Sequence, residues 1–150
     1  MDIERLIREY LPGVVHMSLA TSANNKPWIC EVHYVYDDNL NLYFLSKPSR
    51  RHSEEIAQNP NVAGNIVKQH SSTEKPRGVY FEGTAEMLAN PGEGSPAYKL
   101  YDERFGLSES MRKEIKDDPA GHKFYKIKPE LFVLFDTINF PDNSRQEWRP

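Results

Sequence analysis

The apolar positions fall first into a short helical pattern and then into alternating runs. Residues 2–11 place Ile3, Leu6, Ile7, Tyr10 and Leu11 on one helical face, and Pro12-Gly13 ends the pattern. Residues 14–21 are β-branched and apolar enough to predict a strand. Asn24-Asn25-Lys26-Pro27 is a turn signal, after which residues 28–36 alternate. Trp28, Cys30, Val32, Tyr34 and Tyr36 face one side; Ile29, Glu31, His33 and Val35 face the other. Asp37-Asp38-Asn39 turns the chain into a third strand, 41–46, and three strands with short turns predict an antiparallel meander. A short helix should stop at Asn59-Pro60, followed by a strand over 62–67 and a polar stretch over 69–76.

Residues 77–88 predict a long strand, with Gly78 and Gly83 marking bends or bulges. A Pro/Gly-rich loop over 90–96 leads to a helical region, 97–116, that breaks near Gly106. Two further strands, 122–127 and 131–137, meet at Lys128-Pro129. Residues 138–150 read as a polar tail anchored by Phe140 and Trp148. Neither an internal repeat nor a linker interrupts the 150 residues, so a single domain over 1–150 is expected. Six or seven strands with only short helices make the chain mainly β, a small antiparallel barrel with peripheral helices.

Composition narrows the chemistry. The formal net charge of -3 supplies no basic field for nucleic acid. Cys30 is the only cysteine, which rules out an internal disulfide and a Cys-rich zinc site. The longest aliphatic and aromatic run, 131–135, is too short to cross a bilayer. The charged opening Met1-Asp2-Ile3-Glu4-Arg5 lacks the apolar core of a secretory signal, so a soluble cytoplasmic protein without a membrane partner is expected.

Most candidate catalytic features have an ordinary structural reading. Cys30 and His33 form half of a metal motif, but strand alternation points them to opposite faces. His16, His70 and His122 have no ligand spacing, and no second carboxylate pairs with Glu31 or Glu82. Trp28, Tyr34, Tyr36, Tyr43 and Phe44 are more simply core and sheet residues than a stacking platform.

One segment stands apart. The strand ending Leu45-Ser46 runs into Lys47-Pro48-Ser49-Arg50-Arg51-His52, three Lys/Arg side chains within five residues and no acid before Glu54. Cations, hydroxyls and helix N–H groups converge there, which is what a phosphate group needs. Glu54 and Glu55 would oppose this unless they point away along the helix.

With the residues 42–46 strand, Ser49-Arg50-Arg51-His52, Asn59-Pro60-Asn61-Val62-Ala63 and Phe81-Glu82-Gly83-Thr84-Ala85 in this order, the chain resembles the pyridoxamine 5'-phosphate oxidase-like superfamily of FMN-binding split barrels. The resemblance covers roughly residues 10–137. It implies a split barrel that dimerises with itself and binds FMN in two equivalent interface clefts. Ser46, Ser49, Arg50, Arg51 and His52, with Leu45 before them, match the phosphate loop; His52 stands where the oxidases usually carry lysine. The segment Cys30, Glu31, Val32 and His33 matches the stretch beside the flavin ring and ribityl chain. Arg77 and Gly78 match a stretch that reaches the flavin from the partner subunit. The C-terminus lacks the oxidase's paired-arginine substrate motif, so vitamer oxidation does not carry over; Arg145 and Trp148 are candidates to close over a flavin. The resemblance therefore implies an FMN-dependent oxidoreductase acting on a small molecule. The alternative is a split barrel that binds flavin, deazaflavin or haem without turnover.

Overall fold

The computed structural model describes residues 1–89 and 91–150. Four helices and eight strands alternate as α1 (Ile3–Tyr10), β1 (His16–Ala23), β2 (Lys26–His33), β3 (Val35–Tyr36), β4 (Leu42–Ser46), α2 (Arg51–Gln58), β5 (Asn61–Ile66), β6 (Arg77–Met87), α3 (Pro96–Phe105), α4 (Glu109–Asp117), β7 (Lys123–Asp136) and β8 (Arg145–Trp148). The strands form one antiparallel sheet in the order β2-β1-β5-β6-β7-β4-β3, with β8 added to β7. The mainly β fold agrees with the sequence pattern, and β8 extends the expected count.

Three expectations change. The predicted strand over 28–36 splits at Tyr34 into β2 and β3, so the two hairpins of the meander form at opposite ends of the sheet. β1 and β2 pair along their whole length around Asn24 and Asn25, both at positive φ as a tight two-residue hairpin turn requires. β4 instead pairs with β3 and β7, at the opposite end of the sheet from β2. The break falls at Tyr34, which is fully buried and donates its hydroxyl to the Leu11 carbonyl at 2.8 Å. Holding that side chain in the core redirects the backbone, so the chain crosses to the other end of the sheet before it folds back through Asp37-Asp38-Asn39 from β3 to β4.

The strands predicted on either side of Pro129 are one strand. β7 runs through the proline because the register shifts there: Glu82 pairs with Leu131 and Gly83 with Pro129, leaving Glu130 as the extra residue of a bulge. Gly83 is required at that point. A Cβ would press on the Lys128 carbonyl oxygen and lie 2.8 Å from the Pro129 Cα. Finally, the polar tail contains a strand. Trp148 stacks on Phe132, with ring centroids 5.8 Å apart, and both Trp148 and Phe140 pack against the main core as the sequence suggested. In the predicted loop over 90–96, Asn90 lies outside the described residues.

The alternation of each strand divides the apolar side chains between two cores. Met17, Leu19, Phe44, Ile66, Val79, Ile127, Phe132 and Leu134 meet inside the barrel, where α1 adds Leu6 and Ile7. The opposite faces of β3, β4 and β7 present Val35, Tyr43 and Phe124 to Ala97, Tyr98 and Ile115 of α3 and α4. Asp2 caps α1, Ser95 caps α3 and Ser108 caps α4 through side-chain oxygens. α2 has no such cap, since Arg50 occupies the position. Among the described residues no helix is long and apolar enough to cross a membrane.

Candidate functional site: a histidine-lined cleft at the end of β4

The hairpin register places His16 opposite His33 and Ser18 opposite Glu31, all on the outward face of β1 and β2. Across from them, β4 ends at Leu45 and Ser46, and the chain continues through Lys47 and Arg50 into α2. The space between is a cleft of about 740 Å³, bordered also by Asn65, Val67, Tyr101 and His122. Its size suits a small-molecule ligand.

The basic end is built on Ser46. This buried hydroxyl lies 2.7 Å from His52 Nε2 and accepts from Ser53 Oγ at 3.2 Å. Burial, reinforced by the charge of Arg50, pushes His52 below its ordinary value of 6.5. The imidazole therefore favours its neutral form in the free protein. Lys47 lies 3.9 Å from Glu114, whose other oxygen is 2.8 Å from His122 Nδ1.

The far wall carries a second hydrogen-bonded group. Glu31 accepts from the Ser18 hydroxyl and lies 2.9 Å from His16 Nδ1. His33 stacks on Phe105 with centroids 4.7 Å apart, which fixes the imidazole plane at the cleft edge.

Of the residues singled out in the sequence, the cleft brings together Glu31, Val32, His33, Leu45, Ser46, Arg50 and His52. The others stand elsewhere. Arg51 turns away: its guanidinium lies 4.1 Å from the Trp28 ring centroid, and its Nε donates to Glu55 at 3.0 Å. Glu55 also accepts from the buried Thr21 hydroxyl at 2.8 Å. Burial raises the Glu55 carboxyl, but these bonds outweigh it and hold the group below its usual range. Glu55 is therefore engaged by Thr21 and Arg51 and does not border the cleft, although its charge still reaches His52. Cys30 is half-buried against the core, and burial together with the Glu31 charge pushes its thiol up to about 11, so it stays protonated. Ser49 lies on the turn before α2 and outside the cleft lining. Arg77 pairs with the buried Asp136 at 3.3 Å, beside Gly78, at the start of β6. Trp148 covers Phe132.

His16, Ser18, Asn65, Tyr101 and His122 border the cleft without having been singled out for it. For His16 and Ser18 a signal existed: once Asn24-Asn25 is fixed as the turn, the pairing with His33 and Glu31 follows by counting outward. Tyr101 and His122 arrive through helix packing that no local pattern encodes. Among the described residues no three His, Cys, Asp or Glu side chains converge as a metal site.

An antiparallel barrel open along the line where β2 faces β4, with a cation-rich cleft at the opening, is a split barrel. Residues 3–134 match the pyridoxamine 5'-phosphate oxidase family model, and the chain belongs to that family. In sequence it is 27% identical over 105 residues to UPF0306 proteins of Yersinia pseudotuberculosis and Yersinia pestis, covering 69% of this chain and 71% of theirs. Three solved structures share the fold. General Stress Protein 26 of Bacillus anthracis superposes with a TM-score of 0.71 at 18% identity, covering 100% of both chains. The haem storage protein HutZ of Vibrio cholerae gives 0.67 at 19% identity, over 87% of this chain and 92% of its own. An FAD-binding protein of Mesorhizobium loti gives 0.65 at 20% identity, over 88% and 90%.

Proposed function

We propose that this protein binds FMN in the cleft and acts as an oxidoreductase on a small molecule. The observation that carries the reading is the cluster of Ser46, Lys47, Arg50 and His52 around the uncapped first turn of α2. A phosphate carries close to two negative charges at neutral pH, and this cluster offers hydroxyl, ammonium, guanidinium and imidazole donors together with helix N–H groups. The residues present therefore fit the group. Ser46 and His52 would hold phosphate oxygens, and Arg50 and Lys47 would neutralise the charge. Glu31, Val32 and His33 would border the rest of the flavin. Bound flavin supplies hydride or electron transfer; the chain's own residues bind, orient and shield it. The neutral Cys30 thiol has no nucleophilic part in this reading.

A homodimer completes the proposal. Ile29, Ala20 and Ala63 lie in register on the outward face, and Tyr80 is in register with Asn65 on that same face. Ile29 is 60% and Tyr80 42% exposed, an apolar surface next to the open side of the cleft. A second copy seated there would wall the cleft. Sedimentation of the wild type and Ile29→Glu tests this: a dimer converted to monomer is expected, and a monomeric wild type overturns it.

The direct test is the visible spectrum of purified protein, before and after FMN is added and the excess removed. A retained flavin band near one equivalent, lost in the Arg50→Ala/His52→Ala double variant, is expected. Equal retention by that variant overturns the phosphate assignment. A second reading, haem binding, draws on the four cleft histidines His16, His33, His52 and His122. An intense haem band on titration with hemin, together with no flavin retention, would favour it.

A further inference from the structure

The second core does not close completely. Where β6 ends and α3 and α4 converge, a cavity of about 620 Å³ remains, separate from the histidine-lined cleft. Among the described residues, Met87, Leu88, Tyr98 and Ile115 give it apolar walls. Met87 is 51% exposed at its mouth although it ends a strand whose inner residues are buried. Its other side is cationic. Arg112 and Lys116 lie three and four residues apart from Ile115 and Arg112 on one α4 face, and Lys123 enters from the start of β7.

These cations differ in availability. Arg112 is bound to Asp102 at 2.5 Å, approaches Glu93 at 3.7 Å and reaches the Tyr98 hydroxyl at 3.4 Å. Lys123 donates to the Asp118 carbonyl at 2.7 Å, tying the end of α4 to β7. The Lys116 side chain has no ion pair or hydrogen bond among the described residues. Among the described residues that border the cavity, Arg112, Lys116 and Lys123 outnumber the Glu93 carboxylate, which leaves an exposed lysine above an apolar pocket.

We propose that this cavity is a second binding site, for a small monocarboxylate with an apolar body. The body would lie between Met87, Leu88, Tyr98 and Ile115, out of water, and the carboxylate would meet Lys116 with Lys123 behind it. The apolar walls give affinity without directional demand, whereas the surplus charge selects an anion over a neutral or cationic amphiphile of equal length. With Arg112 and Lys123 already engaged, Lys116 offers one cation to one carboxylate; the histidine-lined cleft, with its cluster of cations and hydroxyls, suits a dianion.

The test is calorimetric titration of the full chain with sodium decanoate below its aggregation concentration, with decan-1-ol and decyltrimethylammonium as length-matched controls. Decanoate is expected to bind at least roughly tenfold tighter than either control. Lys116→Glu, a surface substitution that disturbs no packing, is expected to weaken decanoate by roughly fivefold. Arg50→Ala, in the other cleft, should leave it unchanged. No decanoate binding, equal binding of decan-1-ol, indifference to Lys116→Glu, or sensitivity to Arg50→Ala would each overturn the assignment. Because the Arg50→Ala arm separates the two cavities, the outcome is independent of whether the cleft holds FMN.

Discussion

If His52 holds a phosphate oxygen, flavin binding must take up a proton. In the free protein burial and the neighbouring Arg50 charge keep the imidazole below 6.5. A phosphate dianion in contact with Nε2 favours the imidazolium and raises that value in the complex. Between the two values the complex holds one more proton than the free protein. Affinity therefore falls as pH rises through that window, by at most about tenfold, or ~1.4 kcal/mol, per pH unit. The window opens near or below 6.5 and closes at the raised value in the complex. Because the phosphate itself takes up its second proton near pH ~6, work above pH ~6.5 isolates the histidine. Calorimetry at pH 7 in buffers of different ionisation enthalpy counts the protons directly. Wild type should take up a substantial fraction of one proton per FMN bound, and His52→Gln almost none. His122→Gln should retain the uptake, since His122 is hydrogen-bonded to Glu114. Losing the charged contact should also weaken FMN by about 1.5–3 kcal/mol, at least tenfold. Proton uptake undiminished in His52→Gln would refute the reasoning, whatever happened to the affinity.

Other outcomes follow from contacts away from His52. Arg51→Ala should change the fluorescence of Trp28 by removing the guanidinium 4.1 Å from its ring, yet affect FMN affinity less than Arg50→Ala does; titrating both variants with FMN and comparing emission spectra checks the division. Gly83→Ala should lower stability by about 1–3 kcal/mol, read as a reduced urea midpoint, because the new Cβ meets the backbone of Lys128 and Pro129 and neither can rotate aside. Asp136→Ala should cost about 1.5–3 kcal/mol by thermal melting, since it strips Arg77 of its partner and Ile138 and Asn139 of their acceptor. Burial raises the Asp136 carboxyl, but those hydrogen bonds and Arg77 hold it below its ordinary 3.8, so its stabilisation is present above that pH and is lost as pH falls through the lowered value; the acid side of the melting profile should flatten in the variant.

The sequence made the local geometry legible and left the crossings obscure. The hairpin at Asn24-Asn25, the basic turn after Ser46 and the glycine at position 83 could be read because each is a short-range demand on backbone or charge. What failed was adjacency. The alternation of residues 28–36 continues smoothly through Tyr34, so nothing local shows that this side chain is reserved for the Leu11 carbonyl and that pairing stops there. Likewise Pro129 is a strand breaker by residue type, and only the neighbouring β6 backbone, stripped to glycine at position 83, lets β7 continue as a bulge. In the site, the cations of residues 47–52 were visible as a run. Their different duties were not: Arg50 borders the cleft, whereas Arg51 is held by Trp28 and Glu55. Arg50 has extended backbone at the cap position and Arg51 begins the helix, so the two side chains leave the chain in different directions and two arginines of one motif need not serve one ligand.

That divergence bears on how the cleft is made rigid. Its hydroxyl and cationic side chains sit on a loop and the first turn of a helix that lacks a side-chain cap, elements which alone would be loosely held. The Arg51–Glu55–Thr21 chain fastens α2 to β1, and Trp28 of β2 lies against the same guanidinium. The hairpin so clamped is also the one that carries His16, Ser18, Glu31 and His33 to the far wall. One set of contacts therefore fixes the spacing between the two walls: the basic end cannot shift without dragging the hairpin with it. In this arrangement the second arginine of the motif shapes the cleft without bordering it. It keeps Ser46, Arg50 and His52 aligned opposite the polar wall, and it holds α2 in place although no side chain caps that helix.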